Sequence, residues 1–470
     1  MTFPSPAASR PVVTAGDERI GRLYESALGA IGRNVRTSAG SRILCAGADY
    51  PTPWTRDAAI NSWSAVSLLD PELAEATLRE VTEVGARGPV VQQDDQLWDQ
   101  LVWAIGARRH VEVTGDRQFA HWAAGVVERT LALRSDAYRP ELALYAGGAL
   151  MQDGISGYPF PDIDRLDDSS FIGDYPGSRE IAALSTNVIY AAASDAAVWL
   201  RQIAGRESDV ALEPTRGAQL RAAVRRAFRD PATGTWSYLV DEAGRRMGYQ
   251  ELLGLALLLE HGDLSDAEAA TLTEGVQRCP AGIPLVYPHF PRYDDTRPGR
   301  HNMMVWPMAT GQWAVAAARR GADAPFASSL EDLVSAVSTS DDAFFEVYDA
   351  RDGSVSGGWQ VGTWWPSVPD QTWSATAFLR CVHEGLLGMR ASIDGMHFEP
   401  ILPAGIDHIE LTGLPWRGDE LHIRVRGCGS TVVSATVDGV AWDTSNGPMT
   451  ITPHGGRREV SIELRASREP

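Results

Sequence analysis

Apolar residues recur at three- and four-residue intervals in one run after another up to about residue 388, and beyond that point the spacing changes to alternation. The first spacing is that of helices burying one face. It predicts helices over 17–33, 57–69, 71 onward, 94–114, 116–133, 185–204, 215–228, 248–261, 265–278, 303–320, 325–337 and 371–387. Asp70-Pro71 starts one of them, with Asp as N-cap and Pro at the first helical position. After Gly388, short runs such as HIELTGLPWRG, ELHIRVRGCG and REVSIELR read as β-strands between turn residues. The expected organisation is a large α domain over 1–388, followed by a small β sandwich or sheet over 389–470.

Some connections between these helices are short. Others, at 38–56, 138–184, 280–302 and 340–370, are long and rich in Gly, Pro, aromatics and Asp. Long loops in a compact helical domain usually carry function. The first ends in YPTPWTRDAAINSW, with Trp54, Arg56, Asp57 and Trp63, and QQDDQLWDQ follows with Asp94, Asp95, Trp98 and Asp99. MQDGISGYPFPD holds Asp153, Tyr158 and Asp162; RPGRHN brings Arg300 and His301 ahead of Trp306. The last loop carries Glu346, Asp349, Trp359, Trp364, Trp365 and Asp370. Sugars have flat apolar faces for rings and hydroxyls for carboxylates and arginine, and glycoside cleavage needs two carboxyl groups flanking one bond. Plainer roles stand beside this reading. A single tryptophan is more often core than platform, Asp94 and Asp370 are placed to cap helices, His301 suits a core, and Glu251 sits where a helix start favours negative charge anyway.

Charge and composition narrow the ligand. A formal charge of −19 disfavours nucleic acid and anionic lipid, so a neutral ligand is expected. All 42 basic residues are arginine, which excludes a Schiff-base lysine, pyridoxal phosphate and a Walker phosphate loop. No HExxH, GxSxG or dinucleotide fingerprint is present, and neither metal nor organic cofactor is expected. The four cysteines are far apart and read as reduced thiols. No stretch approaches the roughly 20 apolar residues of a membrane span, and MTFPSPAASRPVV lacks the shape of a secretory leader. A cytoplasmic location is expected; whether the chain forms a homo-oligomer is open.

WTRD, DDQLW, HNMMVWP, DQTWSATAFLRCVHEGLLGMR and DGMHFEPILP, in this order over about twelve helices, resemble the six-hairpin (α/α)6-barrel glycosidases. That superfamily includes glucoamylases, trehalases, processing α-glucosidases, rhamnosidases and disaccharide phosphorylases. The segment EVYDARDGSVSGGWQ is similar to the base-bearing segment of the trehalase and processing α-glucosidase families 37 and 63, which implies Glu346 as general base. MQDGISGYPF is the nearest equivalent of their acid-bearing ESGxD segment and implies Asp153 as general acid. It departs from that pattern, so Asp162 and Glu251 stay as alternatives. WTRD is closer to the glucoamylase pattern and implies Arg56 and Asp57 at the terminal-sugar subsite. The first helix near Asp17 leaves no room for the large N-terminal β domain of the rhamnosidase and phosphorylase relatives, and incomplete trehalase fingerprints argue against trehalose. The resemblance implies an inverting exo-glycosidase for small α-linked saccharides, with an α-glucoside as the expectation. A phosphorylase using Arg300 and His301 for phosphate, a rhamnosidase-like enzyme, and a carbohydrate-binding protein with an inert barrel are the alternatives.

Overall fold

The structure, a computed structural model, describes residues 10–92, 96–159, 169–206, 215–443, 447 and 449–465. Twelve helical runs occur among them: Glu18–Arg33, 55–69, Pro71–Glu80, Val102–Thr114, Arg117–Leu133, Leu184–Ile203, Arg216–Phe228, Leu252–His261, Asp266–Gly275, Pro307–Ala318, Asp323–Ser338 and 372–386. The runs 55–69 and 372–386 each pass through a π-helical stretch, at Ser62–Val66 and Cys381–Leu386. Asp70 caps Pro71–Glu80 as expected, accepting the Leu73 amide at 3.1 Å.

The helices alternate between two environments. Pro307–Ala318 and Thr372–Arg380 are buried at every residue. Arg216–Phe228 buries a single stripe, Gly217, Leu220, Ala223, Val224 and Phe228. The buried set packs in sequence: 55–69 on Val102–Thr114, then Leu184–Ile203, Leu252–His261, Pro307–Ala318 and 372–386, which returns to 55–69. Small residues let these inner helices approach closely. A Cβ at Gly106 would stand 2.7 Å from the Ala59 carbonyl oxygen.

Contacts at the two ends show that the inner helices run the same way. Their N-terminal ends meet around Arg56 and Asp99. Their C-terminal ends meet in a buried ion network, where Arg380 reaches Glu260 at 2.6 Å and Glu384 at 3.3 Å. Arg319 bonds both glutamates, and Arg109 reaches Glu384 at 2.8 Å.

The β elements close over this second end. Trp416 Nε1 donates to the Val113 carbonyl at 3.0 Å, and Arg109 Nη1 to that of Ala391 at 2.9 Å. One sheet has six strands in the order Val12–Ala15, His408–Trp416, Asp419–Arg426, Gly456–Arg465, Thr431–Val437, Val440–Ala441. All its pairs are antiparallel except Asp419–Arg426 with Gly456–Arg465. A second sheet joins Met389–Ala391, Met396–Phe398 and Met449–Ile451. The N-terminal strand pairs Val12 with Thr412 and Ala15 with Ile409. Those four residues were too few to show as a strand in the pattern.

Candidate active site

The open end is where the inner helices begin. Helix N-termini favour carboxylates, and carboxylates gather here. Arg56, in the first turn of Thr55–Asn61, is the hub. Its Nη1 lies 3.3 Å from Asp99 Oδ2, its Nη2 3.2 Å from Asp153 Oδ2, and its Nε 3.8 Å from Asp57 Oδ2. Asp153 Oδ2 also accepts from Gln96 Nε2 at 3.0 Å, and Asp153 Oδ1 is 3.9 Å from His301 Nε2. Met151 N donates to both oxygens of Asp99 at 3.3 Å.

A second carboxylate is held just as firmly. Glu346 Oε2 pairs with Arg300 Nη2, and Oε1 accepts from Gln371 Nε2 at 3.1 Å. Thus the consecutive residues Arg300 and His301 turn to different partners, one to Glu346 and one to Asp153. The Glu346 side chain is 6% exposed and that of Asp153 31%. Each glutamine bonds a carboxylate through its amide nitrogen, and its buried amide oxygen has no partner among the described residues.

The electrostatics of the two carboxylates differ. Burial, the largest single effect, raises the Asp153 carboxyl, but the Arg56 guanidinium, His301 and the hydrogen bonds it accepts together outweigh it and hold Asp153 below the usual range. Burial, with the Asp153 charge adding to it, lifts the Glu346 carboxyl above its ordinary value against the pull of Arg300 and Gln371. Burial drives the His301 imidazole down to about 4, so it is uncharged at neutral pH. Tyr50 lies close enough for its phenol to be raised, by burial first and then by the Glu346 charge. Glu251 is buried at the start of Leu252–His261, and burial lifts it to about 8, with Asp99 adding and Ser185 opposing.

A hairpin completes the mouth. Gly358–Gln360 pairs with Thr363–Trp365, with Trp359 opposite Trp364. Arg300 Nη1 donates to the carbonyls of Trp365 at 3.3 Å and Pro366 at 2.8 Å, while Arg300 N donates to that of Trp359 at 3.1 Å. The GG pair in SVSGGWQ permits this approach: a Cβ on Gly358 would stand 2.3 Å from Arg300 Cα.

Of the residues singled out in the sequence, Arg56, Asp57, Asp153, Arg300, His301 and Glu346 come together here, with Trp54 and the 359–365 hairpin at the rim. Trp63 does not. Its ring faces Arg380, whose guanidinium carbon lies 4.4 Å from the ring centroid, and His261 at the closed end. Tyr158 is fully buried, donating to the Gln152 carbonyl at 2.6 Å under the Asp153 loop. Trp306 is buried too, donating to the Arg300 carbonyl at 3.0 Å and touching the His301 ring. Asp370 caps no helix; it pairs with Arg33. Asp94, Asp95 and Asp162 lie outside the described residues. Sequence reading gave no site role to Tyr50, Gln96 or Gln371, and named Asp99 only among the carboxylates gathered near the loops. Asp99 and Gln371 carried a usable signal, since each stands a few residues at most before an inner helix that starts at the mouth.

Residues 158–374 match the family model described as the mannosylglycerate hydrolase MGH1-like glycoside hydrolase domain. That span contains Glu251, Arg300, His301, Glu346 and Gln371, while Arg56 and Asp153 precede it. No curated protein matches the sequence. Among solved structures, one titled sialidase is similar at 15% identity, over 96% of this chain and 40% of that one, with a TM-score of 0.69. A family 78 rhamnosidase from a Bacillus species is similar at 14% identity over 98% and 44%, TM-score 0.60. The family 63 mannosylglycerate hydrolase of Thermus thermophilus, in complex with glucose, is similar at 17% identity over 77% and 99%, TM-score 0.58. This chain spans less than half the length of the first two. At these identities the likenesses show the fold. The enzyme class that the matched domain carries is glycoside hydrolase.

Proposed function

We propose that the protein is an inverting exo-glycosidase for small α-linked saccharides, α-glucosides by first expectation, built on an (α/α)6 barrel. The observation that carries this reading is the pair of carboxylates, Asp153 bonded by Arg56 and Gln96 and Glu346 bonded by Arg300 and Gln371, with the consecutive residues His301 and Arg300 each turned toward one of them. In the reaction Glu346 takes a proton from water as the water oxygen bonds to the anomeric carbon. The bond from that carbon to the leaving oxygen breaks, and Asp153 gives its proton to that oxygen. Arg56 and Asp57 grip hydroxyls of the terminal sugar. The closed packing order of the six inner helices supports the barrel. The phosphorylase alternative is weakened, because Arg300 is committed to Glu346 and His301 is uncharged, leaving no cationic pair for phosphate.

One observation favours a second reading, with the roles exchanged. In the resting site Asp153 is the readier base and Glu346 the readier acid. Under the first reading, sugar hydroxyls replace the hold of Arg56 on Asp153 and let it take up a proton. Proton NMR of the first product tests inversion under either reading: an α-linked substrate should release the β-anomer before mutarotation. An α-anomer first would overturn the mechanism.

A further inference from the structure

Tryptophan is a costly residue to leave in water, and this protein does so in one place. Among the described residues, the aromatic side chains classed as exposed are Trp54, Trp364 and Trp365, at 36%, 41% and 45%. Trp54 stands two residues before Arg56. Trp364 and Trp365 lie on the hairpin whose backbone Arg300 holds, and Arg300 holds Glu346. Both are therefore tied to the site machinery. Trp364 leans edge-on against Trp359, 5.7 Å between centroids, and Trp359 is backed by the Arg297 guanidinium at 5.1 Å. The outermost ring thus has a built support.

The charges beside these rings point the same way. Around the mouth, Asp57, Asp99, Asp153 and Glu346 face two arginines, Arg56 and Arg300, so carboxylates outnumber guanidinium groups, and in the resting site both guanidinium groups pair with those carboxylates. The other described arginines nearby are spent on the backbone: Arg292 on the carbonyls of Ile155 and Tyr158, Arg297 on that of Val361. A carboxylate entering here meets like charge and loses hydration without a partner, a cost that sets specificity.

We propose that the leaving-group side of the site takes an uncharged group with an apolar face, a second sugar ring or an aryl aglycone, stacked on an exposed tryptophan of this hairpin, Trp364 first, and rejects carboxylate-bearing leaving groups. This sets the chain apart from what the name mannosylglycerate hydrolase describes in its structural neighbour. It rests on the hydrolase reading above.

The experiment uses α-D-glucosyl, α-D-mannosyl and α-L-rhamnosyl fluorides to find the sugar accepted, since fluoride is a leaving group too small to stack. With that sugar, kcat/KM is measured on the 4-nitrophenyl glycoside and on a matched pair, the glycosylglycerol and the glycosylglycerate, which differ by one carboxylate. The neutral member should be preferred at least tenfold. In Trp364→Ala/Trp365→Ala, kcat/KM on the nitrophenyl glycoside should fall at least tenfold more than on the fluoride, mainly through KM. Preference for the glycerate, or an equal fall on both substrates, would overturn the proposal alone. No turnover of any fluoride would overturn the hydrolase reading and this proposal with it.

Discussion

Arg56 and Asp153 are 97 positions apart in the chain, and their side chains meet at 3.2 Å. The bond binds the helix that opens the ring to the loop 138–184. It also lowers the Asp153 carboxyl, so it is at once a structural tie and an electrostatic setting.

Arg56→Ala should therefore harm both stability and activity. It takes the arginine charge away from Asp57 and Asp99, whose side chains are each 5% exposed. Breaking such a buried pair costs about 3–5 kcal/mol. Asp153 has its folded-state value lowered, so its share of the stability is present above the ordinary 3.8 and fades as pH falls through the lowered value. Urea melts of wild type and variant should differ most near neutral pH and converge in acid. A constant gap across pH would mean that lost packing, not lost charge pairing, is responsible.

Leaving-group dependence separates the acid from the base. If Asp153 is the acid, Asp153→Asn should lose activity on a disaccharide and keep much of it on a glycosyl fluoride, whose departure needs no protonation. Glu346→Gln should lose about 10²–10⁴-fold on both, as for removal of a general base. The opposite pattern would exchange the two assignments.

Glu251→Gln reads a buried carboxyl directly. With a folded value near 8 against an ordinary 4.5, wild-type Glu251 is uncharged when folded at neutral pH and ionised when unfolded. Its stability contribution is full below about pH 4.5 and is lost as pH rises toward 8, at up to about 1.4 kcal/mol per pH unit. The glutamine variant lacks this loss. Its stability advantage should grow from about pH 5 to pH 8 and then level off; a flat difference in pH-dependent melts would refute a raised Glu251.

Much of this site could be read from the chain, but pairings could not. WTRD announced a charged pair, and the expectation joined Arg56 to Asp57. Neighbours on a helix do not face each other, and Asp57 proves the loosest of the three partners, at 3.8 Å. Trp63 seemed to belong with Trp54 by proximity in sequence. Seven residues of helix carry a side chain about 10 Å along the axis, which moves Trp63 from the level of Arg56 to the closed end. The helix expected over 94–114 begins at Val102, and that expected over 303–320 begins at Pro307, because Met304–Val305 pairs with Tyr348–Asp349 as strands. The first late start delivers Gln96 and Asp99 on irregular backbone, whose course no periodicity encodes.

Arg380→Met tests the far end. Arg380 is fully buried and serves Glu260 and Glu384, whose carboxyls are lowered against the effect of burial by Arg319 and Arg380. Removing it should cost about 3–5 kcal/mol, seen as a lower urea midpoint, while KM of the folded enzyme stays within about twofold. A shift in KM at unchanged stability would place Arg380 in contact with the site.

The strand Val12–Ala15 is made first and finished late. Its partner, His408–Trp416, follows by some 400 residues, which at about 5–20 residues per second is roughly 20–80 s of synthesis. Throughout that interval the strand has no ladder, and the helix after it, Glu18–Arg33, lacks the surface of 372–386 on which it packs. This strand and helix must wait for partners far along the chain, so neither ring nor sheet is complete until late in synthesis. A ribosome paused short of residue 408 would hold a chain whose first strand has nothing to pair with, a natural place for chaperones to bind.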